Sequence, residues 1–203
     1  MTRTFVKGIA VAGAAAGLLI ATTGNAFPAG KPKGTPAKPK VVKPVLFINQ
    51  SVTQAQGLTP KAALRLATKF VRYQVTTPHY LPKNFSLVAV AVFPYIPDNR
   101  PLGDTQYFYK AHSRTVTEFE VDHQQGAPFT YHTTSPLGTA RVRAYTATVA
   151  EQKGTNLSTH KKVDLLYVYW YDSRIKIATE VTADLQSSGL SRSEVLKIAN
   201  SIS

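Results

Sequence analysis

From Val45 onward the chain switches between two hydrophobic periods. In "GLTPKAALRLATKFVRYQ" the apolar residues Ala63, Leu66, Ala67, Phe70 and Val71 recur every three or four positions, which predicts an amphipathic helix with one buried stripe. Thr59 is placed to cap it, and Pro60 stands at the first helical position, where a missing N–H costs nothing. Two prolines in "TTPHYLPKN" end the helical pattern. Period-two segments follow. "FSLVAVAVFPYI" is apolar on both faces and reads as a central or covered strand. "DTQYFYKAH" and "TVTEFEVDHQ" read as two shorter antiparallel strands, "GAPFTYHTTSPLG" as a loop, and "ARVRAYTATVAEQ" as one further strand.

"VDLLYVYWYDSRIKIATEV" is the clearest hairpin pattern. With Asp172-Ser173 as a two-residue turn, Tyr171 pairs with Arg174, Trp170 with Ile175, Tyr169 with Lys176 and Val168 with Ile177. Alternation then puts Leu166, Val168, Trp170, Ile175 and Ile177 on a core face and Tyr167, Tyr169, Tyr171, Arg174 and Lys176 on the other. The chain closes on "GLSRSEVLKIANSIS", where Ser191 and Glu194 have the spacing of a capping box and Leu190 and Val195 that of a hydrophobic staple. Val195, Leu196, Ala199 and Ile202 form its stripe. A helix this short is marginal alone, so it is expected to dock on a core. The pattern predicts an α+β domain: one antiparallel, curved sheet of about six strands with an N-terminal and a C-terminal helix, over residues 45–203.

Residues 1–26 read differently. Arg3 and Lys7 precede an uncharged Ala/Gly/Leu-rich run from Gly8 to Ile20, and Gly24-Asn25-Ala26 supplies small residues for cleavage between Ala26 and Phe27. This is the pattern of a secretory signal peptide, with an uncleaved anchor as the alternative. Residues 27–44 alternate prolines with Lys31, Lys33, Lys38, Lys40 and Lys43, an extended and self-repelling tether. Those lysines are candidates for contact with anionic wall polymer or membrane headgroups; the plainer reading is a spacer.

The chain has 203 residues and a formal charge of +13, which loss of Arg3 and Lys7 lowers to +11. There is no cysteine, hence no disulfide framework, thiolate metal site or cysteine nucleophile. Export together with the absence of dense basic runs argues against a nucleic-acid partner.

Two separated stretches resemble one family. "LPKNFSL" is similar to the Pro-x-Gly-Tyr-x-Leu entry strand of a bacterial extracytoplasmic domain of unknown function that occurs at the C-terminus of anti-sigma factors and in secreted Gram-positive proteins. The tail resembles that family's final helix at Leu190, Ser191, Glu194, Lys197, Ile198, Ala199, Ser201 and Ile202. The chain departs from the pattern at Asn84-Phe85, where Gly-Tyr is usual, and at Val195, where Glu or Leu is usual. The resemblance runs from about Tyr80 to the end. It implies an envelope role and supplies no catalytic residues. The general layout is also similar to the lipoprotein-sorting and sigma-E-regulator sensor folds, at the level of fold only.

Catalytic and metal patterns are sparse. None of His79, His112, His123, His132 and His160 pairs with another at ligand spacing. Glu118 and Glu120 share one face of a strand, which permits paired-carboxylate chemistry; the simpler reading is the solvated face of an edge strand. The Tyr167, Tyr169, Tyr171 stripe beside Arg174 and Lys176 suits stacking on sugar rings or gripping an anionic partner, and the reading set against it is a second buried face under the Thr59–Gln74 helix. No cofactor is expected. These readings converge on a secreted, cell-envelope-associated, non-catalytic binding or sensing module whose partner is wall polymer, headgroups or an envelope protein. A carrier of an apolar or lipid ligand in a curved sheet and a wall-acting hydrolase stand as alternatives.

Overall fold

The computed structural model describes residues 44–48, 58–71, 73–83, 85–93, 104–111, 119–126, 128–129, 134–155, 160 and 162–202. The signal-peptide segment, the tether lysines Lys31, Lys33, Lys38, Lys40 and Lys43, the Ala26-Phe27 junction, His112, His132 and Glu118 lie outside them.

The chain is α+β, with helices before and after the antiparallel strands as the periodicity predicts. Its elements are β1 (Val45–Ile48), α1 (Pro60–Val71), β2 (Phe85–Phe93), β3 (Asp104–Ala111), β4 (Phe119–Gln125), β5 (Ser135–Val142), β6 (Tyr145–Thr155), β7 (Lys162–Asp172), β8 (Ile177–Asp184), α2 (Leu185–Ser188) and α3 (Arg192–Asn200). The strands form one sheet in the order β1-β2-β3-β4-β8-β7-β6-β5. It holds more strands than the six expected, for two local reasons. "VLFI" adds β1 in parallel to β2 at the edge. "ARVRAYTATVAEQ" is not one strand but the two arms of a tight hairpin, with Val142 opposite Tyr145 and Arg143 in the left-handed region at φ 54°. β4 pairs with β8, so it is a central strand rather than an edge.

Register sorts the side chains by face. Leu46, Val90, Phe119, Val121, Val181, Leu166, Val168 and Ala147 fall on one face and belong to the buried core. Ala63, Ala67 and Val71 of α1 join that core, as do Val195, Ile198 and Ala199 of α3. Both helices therefore cover the same face. Phe70, expected in the α1 stripe, is 38% exposed, and Leu66 is only partly buried, because the buried arc is narrower and centres on Ala63-Ala67-Val71.

The helix ends behave as their sequences predict. Thr59 Oγ1 accepts from the Ala62 N–H at 3.2 Å. Ser191 Oγ accepts from the Glu194 N–H at 3.2 Å, while Glu194 Oε2 accepts from the Ser191 N–H at 2.8 Å, which completes the capping box. These contacts hold the Glu194 carboxyl below the usual carboxylate range. Gly189, at φ 69°, terminates α2 in a conformation that other residues adopt at a cost. The docked tail is also tied at its end: the His79 N–H donates to Ser201 O at 3.0 Å, and Arg143 Nη1 donates to Ile202 O at 2.8 Å.

Candidate functional site

The β7–β8 hairpin differs from its predicted turn. Asp172 pairs with Ile177, Tyr171 with Ala178, Trp170 with Thr179 and Tyr169 with Glu180, so the turn comprises the four residues Ser173–Lys176. The cause is the Asp172 carboxylate. It accepts from the Arg174 N–H at 2.9 Å, from Arg174 Nε at 3.2 Å and Nη2 at 3.1 Å, and from the Tyr145 hydroxyl. These donors hold Asp172 well below the usual carboxylate range, Arg174 foremost. Arg174 Nη2 also donates to the Tyr145 hydroxyl at 2.7 Å, and its guanidinium lies 5.9 Å from the Tyr145 ring centroid.

This turn separates the five residues expected to form one face. Tyr167, Tyr169 and Tyr171 alternate along β7 on the face that carries none of the described helices, here called the helix-free face. Arg174 and Lys176 sit in the turn, with Arg174 engaged toward Asp172 and Lys176 at φ 55°. Ile175, expected in the core, is 63% exposed at the turn's tip. The tyrosine stripe does not lie under α1 either, because α1 packs on the opposite face through β1, β2 and β3.

What flanks the tyrosines is acidic. Across β7–β8, Tyr167 faces Thr182 and Tyr169 faces Glu180; across β4–β8, Thr182 faces Glu120 and Glu180 faces Asp122. Glu120, Asp122 and Glu180 thus share the helix-free face with the three tyrosines. Glu180 is 3% exposed and its Oε1 accepts from Thr182 Oγ1 at 2.8 Å. Tyr167 is also buried and donates its hydroxyl to Gln152 Oε1 at 3.0 Å, a bond that reaches across to β6. Burial, and next the charge of Glu180, push the Glu120 carboxyl up to about 7. Burial and the charges of Glu180 and Glu120 push the Tyr167 phenol above its usual range. Tyr169 and Tyr171 are only partly buried and are the accessible aromatic surface of the cluster.

Glu180, Thr182 and Gln152 were not singled out by sequence pattern. The available signal is that "IATEVTAD" is apolar or small at most positions on both faces, so a lone glutamate within it requires a specific environment. Glu120 is partly buried on a central strand, not on a solvated edge.

The histidines are dispersed. His123, 1% exposed, points into the helix-covered face, where Nε2 lies 2.7 Å from Thr76 Oγ1, and burial lowers it to about 3. His79 and His160 are exposed. Among the described residues no group of three or more His, Cys, Asp or Glu is placed to hold a metal ion. No family model, curated protein or solved structure matches the chain.

Proposed function

We propose that the chain is a secreted, cell-envelope-associated, non-catalytic binding module whose ligand face is the helix-free side of the sheet. The observation that carries this reading is the division of labour between faces. One face is filled by α1, α3 and the apolar core, and the other concentrates Glu120, Glu180 and Tyr167 beside the more accessible Tyr169 and Tyr171. Burying carboxylates on a central strand opposes folding, and an apolar residue would fill the same positions at less cost. A ligand that needs acceptors and aromatic planes accounts for their presence. With Arg174 engaged by Asp172 and Tyr145 and Lys176 in the turn rather than on the strand, the face suits hydroxyl-rich or amine-bearing sugars of the wall rather than an anionic partner.

The signal-peptide pattern and the Lys/Pro tether support the envelope location, and the resemblance to the extracytoplasmic domain of unknown function supports the class. The carrier reading is less well supported, because the apolar sheet face is already occupied by the helices. The hydrolase reading has one observation in its favour: two neighbouring carboxyls, one raised to about 7, are what acid–base catalysis of glycoside cleavage requires.

Calorimetric titration with soluble peptidoglycan fragments, paired with product analysis of the same mixtures, tests both readings. Binding without cleavage, weakened about tenfold or more by Tyr169→Ala/Tyr171→Ala, is the expected result. Cleavage abolished by Glu120→Gln or Glu180→Gln would transfer the assignment to the hydrolase. Absence of both binding and cleavage would sink the proposed ligand face.

A further inference from the structure

Charge is distributed unevenly along this sequence. Between Phe27 and Pro97 there are 10 Lys or Arg and no Asp or Glu, whereas from Asp98 to the end 12 Lys or Arg stand against 11 Asp or Glu. The described part of the acid-free stretch is dominated by α1, which contains no acidic residue.

Lys61, Arg65 and Lys69 follow one another at i, i+4 and i+8 and are all exposed. On a helix this spacing stacks them in one row, opposite the buried Ala63-Ala67-Val71 row. Beside them runs a second row, Ala62, Leu66 and Phe70, with Phe70 38% exposed. Ala62, Arg65, Leu66 and Lys69 line a shallow open depression where the two rows meet.

The cation row is unfavourable for the isolated fold. Like charges four residues apart repel, and Lys61 in the first turn opposes the helix dipole. The ion pairs among the described residues join Glu151 to Lys153 and Arg192, and Asp172 to Arg174, and none of them involves α1. Lone exposed cations need no explanation. A row of three with no acid in its helix, next to a half-buried apolar row that ends in exposed Phe70, has the composition of a helix that rests on an anionic, partly apolar surface.

We propose that the outer face of α1 docks the domain on an anionic lipid bilayer. Lys61, Arg65 and Lys69 contact lipid phosphates, while exposed Phe70 enters the headgroup boundary and the outer edge of half-buried Leu66 lies against it. Two observations select a bilayer over a wall polymer or a protein. The apolar row has no counterpart on a polyphosphate chain, and the sequence that leads into the fold is itself cationic and free of acid. The Lys31–Lys43 segment leads directly into β1, and β1 packs against α1. The segment that leads into β1 thus adds five lysines and no acid to the three cations of the helix. This surface lies on the opposite side of the sheet from the tyrosine–glutamate cluster, and the inference does not rest on that cluster's ligand.

The test is vesicle binding by the secreted chain with its tether intact. Vesicles of phosphatidylcholine alone are compared with vesicles containing phosphatidylglycerol. Each cation near such a surface is worth roughly fivefold in affinity, so Lys61→Gln/Arg65→Gln/Lys69→Gln should weaken binding to the anionic vesicles on the order of 100-fold. Its thermal midpoint should be unchanged or raised, since repulsion within α1 is relieved. A loss of less than about threefold, with binding abolished instead by replacing the tether lysines, overturns the proposal. Phe70→Trp gives a readout that needs no loss of binding. Its emission should shift to the blue on anionic vesicles and stay fixed on phosphatidylcholine. An unshifted emission together with tight binding to poly(glycerol phosphate) would assign the cation row to wall polymer and overturn the bilayer.

Discussion

Glu120 and Glu180 stand on neighbouring central strands, on the same helix-free face, one pleat apart. Glu120 lies opposite Thr182 in the β4–β8 ladder, and Glu180 lies opposite Asp122. Diagonal neighbours of this kind are roughly 7–8 Å apart, near enough in a poorly hydrated sheet for one charge to oppose the other. Together with burial, the arrangement raises the Glu120 carboxyl toward neutral pH and gives the helix-free face hydrogen-bonding acceptors.

The pH dependence has two opposing parts. Glu120 is raised from 4.5 to about 7, so between these values the folded chain keeps a proton that the unfolded chain releases, and stability falls as pH rises. His123 is lowered from 6.5 to about 3, so between those values the unfolded chain takes up a proton that the folded chain refuses, and stability falls as pH drops. The two residues point to opposite faces of β4 and titrate independently. Between about pH 4.5 and 6.5 their contributions oppose each other, and wild-type stability should be nearly flat. Glu120→Gln should unmask His123, giving stability that climbs by roughly 1 kcal/mol per pH unit across that window. Urea unfolding at four pH values is the measurement, and a flat profile in the variant contradicts the assignment.

Removing α3 should unfold the domain. Val195, Ile198 and Ala199 are fully buried in the shared core, so deleting Leu190 to Ser203 exposes the sheet face beneath. Ile198→Ala should cost ~2–5 kcal/mol through the cavity, and Ser191→Ala ~0.5–2 kcal/mol through the lost cap. A deletion variant with wild-type urea stability would mean that the helix is not part of the core.

The Asp172 clasp should set the hairpin. Asp172→Ala leaves the Tyr145 hydroxyl and the Arg174 N–H without their acceptor and should cost ~1–3 kcal/mol. Because Asp172 is held below its usual 3.8, its contribution is complete above about pH 4 and is lost as pH falls below that. Loss of less than about 0.5 kcal/mol in chemical denaturation would show that the turn closes without it.

How much of this was legible in the sequence depended on range. The caps at Thr59 and Ser191 and the docking of α3 follow from spacings within a few residues, and the structure has them. The core face of β7 and β8 was legible too: the actual pairing moves Ile177 from Val168 to Asp172, yet both partners lie on one face, so alternation survives the change of register. The turn itself was not, because its length is set by a carboxylate that grips a side chain two residues on and a tyrosine from another hairpin. Arg143 hid the β5–β6 hairpin by taking a left-handed turn position where glycine or asparagine is the usual signal. The acidic cluster was invisible for a different reason. Glu120 and Glu180 are 60 positions apart in the chain and meet only through the β4–β8 register.

Export makes a separate prediction. If the N-terminal pattern is a cleaved signal peptide, mass spectrometry of protein recovered from culture medium should find Phe27 as the first residue. Recovery of protein that retains residues 1–26 would contradict cleavage.

The central claim is that the helix-free face binds a wall glycan, and nuclear magnetic resonance of the labelled domain titrated with soluble peptidoglycan fragments tests it most directly. The account predicts that perturbed signals concentrate on Tyr169, Tyr171 and the amides of β4 and β8 around Glu120 and Glu180, with α1 and α3 unmoved. Perturbations confined to the tether or α1, or none at saturating glycan, would contradict it.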